Sequence, residues 1–128
     1  MAQNVSVTVT ENGARIGAAS QTVDEESAFR YASNVPASTT DRQVPVSVDF
    51  SELKLVFIHS DAAVTVETDD SAAPDQTFSL AADQFIFWCS SMPTTCPITT
   101  DFEHIYLTTG AIGSDGANVT IILVHDEV

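Results

Sequence analysis

"ELKLVFIHS", residues 52–60, is the stretch whose reading decides the fold. Its apolar residues do not recur at helical spacing, and the run is short. In an extended chain successive side chains point to opposite faces. Leu53, Leu55 and Phe57 then share one face, while Val56 and Ile58 take the other. An antiparallel strand with one solvated face is apolar on one side only, so this one needs cover on both. Two further runs behave the same way. "DQFIFWCS", residues 83–90, sets Phe85 and Phe87 against Ile86 and Trp88, and "NVTIILVHD", residues 118–126, sets Val119, Ile121 and Leu123 against Ile122 and Val124.

Working outward, the rest of the chain supplies shorter strands separated by turn signals. "NVSVTVT" alternates Val5, Val7 and Val9 with polar residues, "ENG" at 11–13 is a turn, and "RIGAASQTV" returns as its partner. "QVPVSVDF", "AAVTVETDD", "QTFSLAA" and "FEHIYLTT" extend the pattern. Ser60-Asp61 reads as the tight turn of a hairpin between "ELKLVFIHS" and "AAVTVETDD". Residues 24–42 read as irregular. No long segment carries helical periodicity and no strand-helix-strand unit appears. The expectation is one all-β domain over residues 1–128, a jelly-roll-like β-sandwich of eight to ten short strands.

Composition narrows the function classes. The 128 residues include 18 acids and only four Lys and Arg, a formal net charge of −14. A nucleic-acid binder needs cations to neutralise phosphates, so nucleic acid is not expected as a partner, nor is an anionic membrane. A basic protein partner, simple solubility and a salt-rich setting all fit the charge. No apolar run approaches the roughly 18 residues of a membrane span. "MAQNVSVTVT" enters the first strand directly, without the pattern of a signal peptide, so synthesis in the cytoplasm is expected. Asn4-Val5-Ser6 and Asn118-Val119-Thr120 match the glycosylation pattern, and without a secretory signal both read as chance.

The two-faced strands are the most informative feature. Their second faces, Val56 and Ile58, Ile86 and Trp88, Ile122 and Val124, form the candidate subunit or partner interface. Residues 24–42 are the other possible cover, but they are polar. Chemistry has less support. Cys89 and Cys96 enclose the six residues "SSMPTT" and lack the spacing of a metal pair, and no predicted helix would activate a thiol. A disulfide across the loop and two separate thiols both remain open. The bonds before Pro93 and Pro97 favour extended or turn geometry, and one could be cis. His59, His104 and His125 lie on three predicted strands with no ligand spacing. Asp69, Asp70 and Asp75 are near in sequence but lack the EF-hand pattern, so a solvated loop is favoured over a Ca²⁺ site. No nucleophile elbow, zinc helix or phosphate loop occurs. No enzyme activity, cofactor or metal is expected.

Asp69–Pro74, Thr77–Ala82, Phe85–Trp88 and Ile105–Thr108 carry a resemblance. Together they resemble the small all-β structural proteins encoded among the head and tail genes of tailed bacteriophages. The resemblance covers about half the chain. It implies a virion protein, most like a head decoration (cement) protein: a homotrimer bound to the major capsid protein on the head exterior. It brings no catalytic residues. Two alternatives are a tail or neck component and a small β-sandwich that binds carbohydrate, with Trp88 or Tyr106 as the stacking residue.

Overall fold

The computed structural model describes residues 2–11, 14–24, 28–70, 73–90 and 92–125, with side chains described at Ala14 and from Phe29 onward. The described residues form ten strands: β1 (Ala2–Glu11), β2 (Ala14–Asp24), β3 (Ala28–Val35), β4 (Arg42–Val48), β5 (Leu53–Ser60), β6 (Val64–Thr68), β7 (Gln76–Leu80), β8 (Phe85–Cys89), β9 (Phe102–Thr108) and β10 (Ala117–His125). One turn of 3-10 helix, Phe50–Glu52, leads into β5. Its cap is Asp49, whose carboxylate accepts from the Ser51 amide at 3.1 Å and the Ser51 hydroxyl at 2.6 Å.

Strands β1 and β2 pair with each other as a long antiparallel hairpin. The other eight form two four-stranded antiparallel sheets. The first has the order β3-β10-β5-β8 and the second β4-β9-β6-β7. Within the sandwich only β6 and β7 are both sequence neighbours and partners; every other pairing joins strands distant in sequence. Two interlocked four-stranded sets of this kind are the jelly-roll arrangement. The expected all-β sandwich is therefore the observed one.

The core lies between the sheets. Val56, Ile58, Ile121 and Leu123 of the first sheet meet Val44, Val66, Ile105 and Leu107 of the second. Each fully buried aliphatic side chain contributes about 1.5–3 kcal/mol relative to an exposed one. Alternation explains the second sheet: β4 and β6 bury every other residue and turn Gln43, Pro45, Thr65 and Glu67 outward. The hydroxyls of buried Thr109 and Thr68 are matched, while those of Tyr31 and Thr100 are buried without a partner. Thr109 donates to the Pro36 carbonyl at 2.6 Å and accepts from the Thr39 amide at 3.1 Å, while Thr68 accepts from the Gln76 amide at 3.1 Å. Gly116, at φ +70°, enters β10 against β3; a Cβ there would lie 2.6 Å from the Val35 carbonyl oxygen, so only glycine fits.

Two local expectations are corrected. Residues 24–42 are not irregular throughout, because 28–35 form β3 at the edge of the first sheet. Only one neighbour pairs with an edge strand, and this one buries Val35 with Phe29 and Tyr31 packed inward at alternate positions, leaving a polar outer pattern. Ser60-Asp61 is not a hairpin turn either. It carries the chain from β5 in the first sheet to β6 in the second. The Asp61 carboxylate pins this crossover by accepting from the Asn118 amide and side-chain nitrogen, both at 2.7 Å.

Candidate interaction surface

The first sheet has an apolar outer face as well as an apolar inner one. Leu55, Cys89 and Val124 form a second buried cluster, separate from the core, with Phe57, Phe87, Met92 and Ile122 packed around it. The register places these side chains together, since β5 pairs Leu55 with Cys89 and Phe57 with Phe87, and β10 pairs Val124 with Leu55 and Ile122 with Phe57. A register shift opposite Lys54 interrupts the alternation of β5 and turns Leu53 into the core, away from the face that Leu55 occupies.

The face changes along its length. At the end of Leu55, Cys89 and Val124 it is closed. At the other end it is open. Phe85 is 51% exposed, and Phe57, Phe87 and Ile122 are half-buried. The Phe57 ring neighbours both members of the next cross-strand pair, His59, stacked at 6.3 Å, and Phe85, at 6.1 Å. Asp83, in the turn before β8, approaches His59 at 3.9 Å.

This arrangement redistributes the residues expected to form an interface. Val56 and Ile58 lie in the inter-sheet core, and Ile86 and Trp88 pack against that core. Val56 and Ile58 are almost fully buried there, while Ile86 and Trp88 are half-buried. Only Ile122 and Val124 sit on the outer face, with Val124 already buried there. The residues that sequence reading missed are Phe57, Phe85 and Phe87. Their signal was present in the alternation, but alternation does not say which face turns inward.

The cysteine loop between β8 and β9 is closed without a cysteine bridge. Cys89 belongs to the outer cluster and Cys96 packs against the inter-sheet core, so the sheet separates two thiols that are not joined. Burial pushes the Cys96 thiol above its usual range. Other groups fasten the loop. The Trp88 indole N–H donates to the Thr94 carbonyl at 2.8 Å. The Gln76 side chain, from β7, donates to the Pro97 carbonyl at 2.6 Å and accepts from the Thr99 amide at 2.9 Å. Between these two clamped positions Ile98 is buried as a plug. No cis peptide occurs among the described residues, so the bonds before Pro93 and Pro97 are trans.

The polar candidates are dispersed. Among the described residues no three His, Cys, Asp or Glu side chains converge as a metal-binding set. Asp69, Asp70 and Asp75 are exposed at the β6–β7 connection. Asp69 also borders a shallow groove of about 300 Å³ with Asp49, Asp101 and Glu103. Hydrogen bonds from Ser51 and from Asn118 hold the Asp49 and Asp61 carboxyls below the usual carboxylate range. Of the two stacking candidates, Trp88 is half-buried against the core and its loop, and Tyr106 stands half-buried beside His104 at 6.2 Å on the second sheet. Among the described residues no helix is long and apolar enough to cross a membrane.

The fold and surface define a jelly-roll β-sandwich with one polar and one apolar outer face. No family model matches the chain, and no curated protein matches it. Among solved structures it is similar to one described as "Bacillus endospore appendages form a novel family of disulfide-linked pili", at 9% identity, over 99% of this chain and 92% of that one, with a TM-score of 0.36. A likeness that loose bears on neither the function nor the assembly of this chain.

Proposed function

We propose that this protein is a non-enzymatic structural subunit, a jelly-roll that decorates and stabilises the exterior of a tailed-phage capsid by binding the major capsid protein. The observation that supports an assembly role is the apolar outer face of the first sheet, closed at Leu55 and Cys89 and open at Phe85. Contiguous exposed apolar surface on a soluble domain marks contact with another macromolecule. The capsid form of that role draws its support from the sequence resemblance at Thr77–Ala82, Phe85–Trp88 and Ile105–Thr108. The excess of 14 negative charges suits a basic protein surface and repels nucleic acid.

The test is fractionation of purified virions. The chain should travel with heads, at a copy number proportional to the major capsid protein, and remain there after tails are removed. Recovery with isolated tails would move the protein to a tail or neck position. Absence from all particle fractions would sink the virion reading.

A further inference from the structure

We propose that the hairpin of β1 and β2 is a strap: it crosses the outer face of the first sheet, shields Leu55, Cys89 and Val124, and opens locally while the sandwich stays folded. The inference is independent of the capsid reading and concerns how this chain closes one end of its own apolar face.

Leu55, Cys89 and Val124 point away from the inter-sheet core, yet they are 0%, 0% and 3% exposed. One pair further along, Phe57, Phe87 and Ile122 are half-buried, and Phe85 beyond them is exposed. A sheet does not bury its own outer face, so another part of the chain covers the first three. The second sheet lies on the other side. Met92 of the cysteine loop packs around the cluster, but that loop then turns inward, where Cys96 and Ile98 join the inter-sheet core. Residues 126–128 directly follow β10, but Asp126 and Glu127 would bring carboxylates onto an apolar cluster.

Connectivity identifies the cover. Strand β3 begins at Ala28, which pairs with Val124, so it enters one edge of the sheet at the closed end. Only residues 25–27 separate Ala28 from Asp24, the last residue of β2, so that end lies within about 14 Å of Ala28. Strand β2 also comes close to β8, the opposite edge of the same sheet, three strand spacings or about 14 Å away. Between the two edges the chain has to pass β10 and β5. The second sheet fills the inner side, which leaves the outer side, over Val124, Leu55 and Cys89. The hairpin's sequence suits that position. Val5, Val7 and Val9 alternate with Asn4, Ser6 and Thr8, and the register sets Val7 opposite Ala19 and Val9 opposite Gly17, while Asn4 meets Thr22 and Ser6 meets Ser20. One side of the ribbon is thus mostly apolar or small and the other polar. A two-stranded ribbon is marginal by itself and is held by what it lies on. This one pairs with neither four-stranded sheet, so it can open without global unfolding.

Alkylation of the two thiols in the full chain tests the cover, because Cys89 belongs to the outer cluster and Cys96 packs on the inner side. Iodoacetamide is added under native conditions, and each cysteine is followed by peptide mass spectrometry. Val7→Asp should speed Cys89 alkylation by at least about tenfold, in step with the open population, and leave Cys96 unchanged. Ser6→Asp adds the same charge at a polar position of the ribbon and should change neither rate. If Val7→Asp speeds both thiols and melts early, the sandwich itself has opened and Val7→Ser is read in its place. An unaltered Cys89 rate in the folded variant overturns the inference, as does equal acceleration by both aspartate variants. Wild-type Cys89 that alkylates as fast as in the urea-unfolded chain also overturns it. So does acceleration seen only on deleting residues 126–128, which would make the chain's last residues the cover. Virion fractionation fails or succeeds independently of these outcomes.

Discussion

The outer faces of the two sheets differ although both sheets are four-stranded, antiparallel and packed on the same core. On the second sheet, β4 and β6 follow the ordinary rule: Val44, Val46, Val64 and Val66 turn inward, and Gln43, Pro45, Thr65 and Glu67 turn to water. On the first, Leu55, Phe57, Phe87, Ile122 and Val124 turn outward while Val56, Ile58, Ile121 and Leu123 fill the core. The first sheet is therefore apolar on both faces, and the second on one. An outer face can be structural on one side of a sandwich and merely solvated on the other. Topology alone would not distinguish them.

The largest effect that could break this contrast lies at Leu55. Leu55→Ala should destabilise the domain by about 2–5 kcal/mol, because the residue is fully buried although it faces away from the core. Thr77→Ala, on the exposed outer surface of the second sheet, should stay within about 0.5 kcal/mol. Urea denaturation of both variants measures the difference, and equal small effects would show that the outer cluster contributes little. A smaller effect is expected at the clamp joining β7 of the second sheet to the cysteine loop that follows β8 of the first. Gln76→Ala leaves the half-buried Pro97 carbonyl and the exposed Thr99 amide to water, and should cost about 0.5–1.5 kcal/mol. A reductant should leave the melting temperature of the wild type unchanged, since Cys89 and Cys96 are separate thiols. A reductant-dependent melting temperature would return the staple to the cysteines.

The smallest effect is electrostatic. Hydrogen bonds from Asn118 lower the Asp61 carboxyl below its ordinary value, so its stabilising contribution is present above the unfolded-state pKa of about 4. That contribution is lost as pH falls from there through the lower folded value. Asp61 is fully exposed, which keeps the effect modest. Acid unfolding of Asp61→Asn should show a shallower fall in stability than the wild type below about pH 4. Identical acid limbs would assign the crossover's order to packing.

Much of the fold was legible in residues 52–60, 83–90 and 118–126, where apolar runs on two faces demand a layered β structure. The hairpin of β1 and β2 was equally readable, because alternating valines and "ENG" are local signals. The turn residues 12 and 13 lie outside the described residues. Strand β3 was hidden because an edge strand needs few apolar residues, and Phe29, Tyr31 and Val35 are spaced among polar ones. The crossover at Ser60-Asp61 was misread because turn chemistry fixes a change of direction and leaves open which sheet receives the next strand. The loop clamp at Gln76 had no sequence signal at all, since its partners lie more than 20 residues away.

The interface residues show the same limit most clearly. By itself the sequence determined that β5, β8 and β10 each carry two apolar faces, that the domain is all-β, and that acids are excluded from these strands. It could not determine which face is the core. A period of two is symmetric: Val56 and Ile58 alternate with Leu55 and Phe57, and either set satisfies the pattern. Tertiary structure broke that symmetry by packing β4, β9 and β6 against one side and by turning Leu53 inward at the Lys54 irregularity. The side left over, with Phe85 at its open end, became a surface because the core had already been chosen.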